Sequence, residues 1–478
     1  MEIITSSRML KPVYSTPHPL LGEKVQLTVF DRAALDIFVP VVVAYPAPTP
    51  SNEAIKEGLL RAVAPYPHLA GRLAADHRGR RFLHVNNEGV LVVEATVSSN
   101  LADLLAYGGM AADVHGQYHT LPEGKIQDKV LMLKRKDNLK KKTAYACATF
   151  SIMKVLGNVG EALLQIKLNR CKCGGLVVGV SYHHQTADGV AMNNFFITWE
   201  TAVRQGKDFV APTPFLDRAT TAVSRRMPAP VFDHQSIEFK SGESRGCTRE
   251  CGDVVSMVKI KDVRVHLTTE FLTELRARVG GRCSMFQCLL AHVWKKITAA
   301  RALKPEEFTQ VKVAVNCRGR AKPPVPMDFF GNMVLWAFPR LQVRDVLNWS
   351  YRAVVGAIRD AVARIDDEYI QSFVDFGSLA DANGKELMAT AAAGTTLCPD
   401  AEVDTWLGFR YHQLDFGTGP PCAFQPPDLP IEGLMVFVPS CTAGGGVDLF
   451  MAVAEDHVEA FEKICYSLDD DFPTSSRM

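Results

Sequence analysis

The stretch "SYHHQTADGV", residues 181–190, sets two adjacent histidines at the end of an apolar run and an Asp-Gly pair shortly after. A histidine at a strand end is suited to proton transfer near neutral pH, because its ordinary pKa lies close to 6.5. In the order His-x-x-x-Asp, His184 is the residue that would face a cleft. Asp188 turns back into the corner, where it can cap a helix or pair with an arginine. Gly189 permits close packing, or a backbone angle denied to other residues. The same residues also fit half a metal site or a pair of packed histidines. A metal needs a third protein ligand, which the nearby sequence does not supply, so none is expected. Between a base and packed histidines this stretch alone does not decide.

A second constellation is "YHQLDFGTGPP", residues 411–421. Asp415, Gly417, Thr418 and Gly419, followed by two prolines, form a tight loop with its backbone exposed, and a structural hairpin turn has the same composition.

Elements that position these groups can be read from periodicity. In "ALLQIKLNRCKCGGLVVGVSYHH" two β-rich runs surround Cys-Gly-Gly, a hairpin whose second strand ends in His183 and His184. After it, Val190, Phe195, Trp199 and Val203 recur at near-helical spacing, with Asp188 as cap, so the histidines sit on a strand-to-helix corner. "SNEAIKEGLLRAV" reads as an amphipathic helix with Ile55, Leu59, Leu60 and Val63 on one face. "FLHVNNEGVLVVEATV" reads as a hairpin around Asn-Asn-Glu-Gly. Further helices are expected in "TTEFLTELRARVGG", "SMFQCLLAHVWKKITAARAL", where Ser284 and Gln287 stand in capping-box register, and "LNWSYRAVVGAIRDAVARID". This alternation makes the chain α/β. Residues 212–254, rich in Pro, Ser, Gly and Arg, read as a linker between domains at 1–211 and 255–478.

Composition narrows the function classes. The 478 residues are 47% hydrophobic and 22% charged with a net charge of +1, which favours neither nucleic acid nor an anionic membrane. No apolar run approaches the roughly 20 residues that span a bilayer, and the N-terminus lacks a signal-peptide core, so a soluble cytoplasmic protein is expected. Twelve cysteines form no framework; Cys171 and Cys173 come nearest to metal spacing without completing a ligand set. Ser476-Arg477-Met478 has the character of a peroxisomal address. The basic run "KRKDNLKKK" within residues 124–144 reads as a solvated loop.

Together, HxxxDG and DFGxG in this order resemble the plant BAHD acyltransferase family. "YPHLAGRL", "NNEGVLVVEA", "VAVNCRGR", "FFGNMV" and "IEGLMVFVP" match further family blocks, so the resemblance covers nearly the whole chain. "VDTWLGFRYHQLDFGTGPP" and "LPIEGLM" are most similar to grass amine N-hydroxycinnamoyl and benzoyl transferases. The resemblance implies two similar domains of the chloramphenicol-acetyltransferase type with a substrate tunnel between them. It implies a monomer, with an acyl-CoA thioester as cosubstrate, no permanently bound cofactor, and an acceptor amine of the tryptamine, tyramine, agmatine or putrescine class. O-acylation of an alcohol such as shikimate, or acyl-CoA binding without turnover, are the alternatives. By the same resemblance His184 is the general base, Asp188 pairs with Arg318, and Asp415, grouped with His184 as a catalytic-site residue, holds the DFGxG loop rather than taking a proton. The family's usual DFGWG tryptophan is replaced by Thr418. For a cationic acceptor, Asp366, Asp367, Glu368 and Asp375 are the acidic residues considered.

Overall fold

The computed structural model describes residues 2–12, 14, 16–106, 159–234, 259–384, 387, 396–426, 429 and 431–468. The basic run of residues 124–144 and the C-terminal tripeptide lie outside these. Two compact units share the chain. The first takes Met1–Val223 with Pro326–Met333 and Arg410–Asp428, and the second takes Ser224–Val325, Val334–Phe409 and Leu429–Met478. The DFGTG loop, late in the sequence, therefore belongs to the first unit.

In the first unit a six-stranded sheet runs in the order Glu2–Leu10, Val90–Val97, Leu164–Cys171, Leu176–His183, Phe38–Tyr45 and Ala423–Gln425. Its pairs are antiparallel except Val90–Val97 with Leu164–Cys171. Leu176–His183 is buried along its whole length, as its unbroken apolar run requires for a central strand. The expected hairpin with Leu164–Cys171 is present, closed by the Cys171 N–H on the Gly175 carbonyl at 2.9 Å.

The other expected hairpin is not. Arg81–His84 pairs with Lys24–Gln26 and Arg72–Ala75 in a separate three-stranded sheet, whereas Val90–Val97 joins the large one. Between them Asn87 and Gly89 take positive φ, 50° and 98°, and the Gly89 N–H is taken by the Ala70 carbonyl, so the turn hands the chain from one sheet to another. Both strands carry apolar residues that any partner would bury, and local patterning cannot choose among partners.

Helix Asn52–Val63, capped by Ser51, buries Ile55, Leu59 and Val63 and leaves Leu60 half-buried. It packs on helix Gly189–Gln205 so closely that a Cβ on Gly58 would stand 2.3 Å from a Val203 methyl. The Trp199 indole N–H donates to the Ile55 carbonyl at 3.1 Å, which satisfies the one polar atom of a fully buried ring.

The second unit has a mixed sheet in the order Val334–Ala337, Phe308–Asn316, Ala401–Thr405, Leu434–Pro439, Val447–Ala454 and Ile260–Leu267, with Arg340–Gln342 paired to Phe308–Asn316. Helix Met285–Ala300 carries the expected capping box, Ser284 and Gln287 bonding reciprocally at 3.0 and 3.2 Å. Helix Thr269–Val279 ends on Gly280 and Gly281 at φ 64° and 73°. The third expected helix is split: Val343–Asn348 precedes Tyr351–Ala363, because Ser350 starts a new N-cap.

Candidate functional site

His183 ends its strand and His184 follows, so strand alternation sends the two rings to opposite faces. The His183 ring is fully buried. Its Nδ1 accepts from the Gln185 N–H at 3.3 Å, which leaves Nε2 to carry the proton and donate to Asp36 at 3.1 Å. Asp36 is in turn paired with Arg81 at 2.7 Å, and Phe38 stands edge-on to the imidazole. Burial pushes the His183 pKa down, with Asp36 opposing.

His184 is held differently. Its N–H donates to the Ile37 carbonyl at 2.9 Å, and its carbonyl accepts from the Asn332 amide at 2.9 Å, so the backbone is fixed on both sides. The ring is half-buried. Nδ1 is sealed from solvent with no hydrogen-bond partner on another described residue. Burial pushes the pKa below its ordinary 6.5, against the opposing pull of its own carbonyl, Asp188 and Asn332. The imidazole is therefore neutral at pH 7, with one unprotonated ring nitrogen able to accept a proton.

Asp188 anchors the corner. One carboxylate oxygen accepts from the Ala191 N–H at 2.9 Å, capping helix Gly189–Gln205, and the other accepts from the Met333 N–H at 2.9 Å. The first unit's "FFGN" segment is thereby stitched to the histidine corner. Gly189 is simply the first helical residue and does not use a positive φ. Arg318 lies in the second unit, fully buried after strand Phe308–Asn316, and donates to the Asn316 side chain at 3.2 Å.

Three residues escaped the sequence reading. Asn332 bridges Asp31 and the His184 carbonyl, at 3.0 and 2.9 Å. Asp31, fully buried, forms a capping box with Thr28 and an ion pair with Arg218. Arg218 also donates to the Thr186 carbonyl inside the corner. The Thr28-x-x-Asp31 spacing was a readable signal. Arg218 falls in the stretch expected to be linker, where an isolated arginine gives no sign that it is only 2% exposed.

The DFGTG loop is elsewhere. Asp415 Oδ1 accepts from the N–H groups of Gly417, Thr418 and Gly419 at 2.7, 2.9 and 2.8 Å, and Gly417 and Gly419 take φ 106° and 111° to aim them. Partial burial raises the Asp415 carboxyl, and these donors with Arg204 outweigh it, holding it below the usual range. Phe416 anchors the loop against Tyr45 and Trp199. A Cβ on Gly417 would lie 3.8 Å from the Arg204 side chain, in the last turn of the helix that Asp188 caps at its start. Fifteen residues of helical rise separate those ends by about 22 Å. The Asp415 carboxylate closes this loop, and the N–H groups of Gly417, Thr418 and Gly419 are all bonded to it. Thr418 is exposed.

The acidic cluster is likewise structural. Asp366 caps helix Asp367–Ala382, Asp367 pairs with Lys322 at 3.1 Å, Glu368 is exposed, and buried Asp375 accepts from the Arg225 and Ala229 N–H groups. Among the described residues no group of three or more His, Cys, Asp or Glu side chains could hold a metal, and no helix is long and apolar enough to cross a membrane.

Comparison with known proteins bears on this arrangement. The Transferase family profile matches residues 2–127 and 137–468. Tryptamine benzoyltransferase 1 of Oryza sativa subsp. japonica is 57% identical over 98% of both chains, and tryptamine hydroxycinnamoyltransferase 2 of the same plant is 53% identical over 98% of this chain and 99% of its own. Agmatine hydroxycinnamoyltransferase 1 of that plant is 33% identical over 98% and 99%. Among solved structures, vinorine synthase has the same fold at a TM-score of 0.67 and 20% identity over 96% of each chain. The fungal TRI101 complex with coenzyme A and T-2 mycotoxin scores 0.70 at 16% identity over 92% of this chain and 97% of that one. The chain belongs to the Transferase family, that of the BAHD acyltransferases, and is an acyltransferase.

Proposed function

We propose that this enzyme transfers a benzoyl or hydroxycinnamoyl group from a coenzyme A thioester to the nitrogen of an amine of the tryptamine class, with His184 as general base. The observation that carries the assignment is the state of that ring: neutral, sealed at Nδ1, and fixed through its backbone by Asn332 and Ile37, with Nε2 assigned to proton transfer. In this reading the amine nitrogen attacks the thioester carbonyl while Nε2 takes an N–H proton. The tetrahedral species then expels the thiolate, and the imidazolium returns the proton to sulfur. Since the nucleophile is a neutral amine, the acceptor pocket gains by desolvation, which lowers an ammonium pKa. Asp188, Asn332, Asp31 and Arg218 are positioning residues that act through the corner. Acyl-CoA is a cosubstrate, and a monomeric, cytoplasmic enzyme belongs to the same proposal. The names of the rice relatives support an amine acceptor and an aromatic acyl donor.

The test is a matrix of benzoyl-CoA and hydroxycinnamoyl-CoA against tryptamine, tyramine, agmatine, putrescine and shikimate, reading free thiol and identifying the product. Amide formation with tryptamine is expected. Ester formation alone would make the enzyme an O-acyltransferase, and no thiol release with any pair would leave a binding protein.

A further inference from the structure

Far from the histidine corner in sequence, two thiols face each other at the start of helix Met285–Ala300. Cys283 precedes the N-cap Ser284, and Cys288 sits one turn into the helix. Their sulfurs are 3.2 Å apart, inside van der Waals contact. Cys283 is half-buried and Cys288 fully buried, so a reagent meets Cys283 first. The approach is built into the local fold. Gly280 and Gly281 at positive φ turn the chain out of helix Thr269–Val279, and an Arg276 N–H on the Cys283 carbonyl at 3.4 Å folds the connection back. The capping box of Ser284 and Gln287 then fixes the turn between the cysteines.

We propose that Cys283 and Cys288 are a reversible redox pair, in which Cys283 is the peroxide-reactive thiol and Cys288 the resolving one. The Cys283 thiol gives its proton to solvent and the thiolate attacks one oxygen of hydrogen peroxide; the O–O bond breaks, Cys283 becomes a sulfenic acid, and the departing hydroxide takes a proton back from solvent to leave as water. The Cys288 sulfur attacks the sulfenyl sulfur, the S–O bond breaks, and the hydroxyl leaves with the Cys288 proton as a second water. Two thiols are oxidised by two electrons, peroxide is reduced, and a dithiol reductant reverses the bridge. Burial pushes the Cys288 thiol up to about 12, and Cys283 adds to the rise, so Cys288 stays protonated until an electrophilic sulfur appears beside it. The bridge encloses the capping box, so oxidation locks the start of a helix that buries Leu289, Leu290 and Trp294.

Both cysteines fall in one tryptic fragment, Cys283 to Lys295, released after Arg282. The full-length protein is treated with peroxide, blocked with iodoacetamide under denaturing conditions and digested. The expected fragment lacks two hydrogens and carries no alkyl group, and dithiothreitol before blocking restores two alkylation sites. Cys288→Ala should leave Cys283 as a sulfenic acid that dimedone traps, whereas Cys283→Ser should leave Cys288 unoxidised; circular dichroism checks that each variant folds. Two alkyl groups on the peroxide-treated wild-type fragment would overturn the proposal, and so would a bridge from either cysteine to another one. Equal oxidation of Cys288 in Cys283→Ser would overturn the assigned order. The wild-type fragment decides the pairing even if a variant fails to fold.

Discussion

The corner at His184 and the loop at Asp415 stand at opposite ends of helix Gly189–Gln205, and each is closed by an aspartate that accepts backbone N–H groups. Asp188 sits where the helix dipole favours a negative charge, and its two oxygens join segments far apart in sequence, Ala191 and Met333. Asp415 sits near the opposite end, beside Arg204, and one oxygen collects three donors from its own loop. The same residue type thus does long-range work at one end and short-range work at the other. In the proposed mechanism the long-range end is the one that holds the base.

The sharpest break of this comparison is His184→Ala. Turnover should fall by about 10²–10⁴-fold, the usual worth of a general base, with the melting temperature unchanged. Thiol-release rates and a thermal melt read both, and undiminished turnover would remove the base from this corner. Next comes Asp188→Ala, which loses the cap and leaves the Met333 N–H unpaired. A destabilisation of about 2–4 kcal/mol is expected in denaturant titration, with Asp188→Asn well below it because asparagine also caps. Equal losses for the two variants would mean that charge, not hydrogen bonding, anchors the corner.

Acid should act on both units. His184, His183 and His68 in the first unit, and His292 in the second at about 4, all have pKa values lowered by burial. The unfolded chain, with histidines near 6.5, therefore binds more protons as pH falls, and folding stability drops below pH 6.5. His292 alone should remove about 2 kcal/mol between pH 7 and pH 5. Asp404, whose carboxyl burial pushes up to about 6, works in the other direction but does not cancel four histidines. Equal midpoints in urea at pH 7 and pH 5 would contradict this.

At the Asp415 end effects shrink. Asp415→Ala should cost about 1–2 kcal/mol of stability, because the loop amides are partly open to water. Its turnover should change far less than that of Asp188→Ala, and a large loss of kcat with an unchanged melt would reconnect the loop to the chemistry. Thr418→Trp, which restores the family's usual residue at an exposed position, should stay within about 0.5 kcal/mol, or about twofold in rate.

Periodicity and capping patterns were enough to place the strand ending in His183, the helix after it and the cap at Asp188, because each depends on residues within a few positions of one another. The order of the family motifs carried the fold and the enzyme class. Partnership across sequence was not legible. The run after Arg81 looked like half a hairpin, and only the sheet shows that Val90–Val97 pairs with Glu2–Leu10 and Leu164–Cys171. Arg218 looked like linker until its guanidinium met Asp31. Of the acidic residues considered for a cationic acceptor, Asp366 caps a helix, Asp367 pairs with Lys322 and Asp375 satisfies chain N–H groups.

By itself, then, the sequence determined which residues are chemically able and which local elements hold them, since helix caps, strand alternation and turn glycines are short-range. Tertiary structure decided which of them work together. The sealing of His184 Nδ1, the anchoring of its carbonyl by Asn332, and the separation of Asp415 from it all depend on segments brought together by burial. Burial is a property of the whole unit: it lowers the imidazole pKa, and no window of residues contains it.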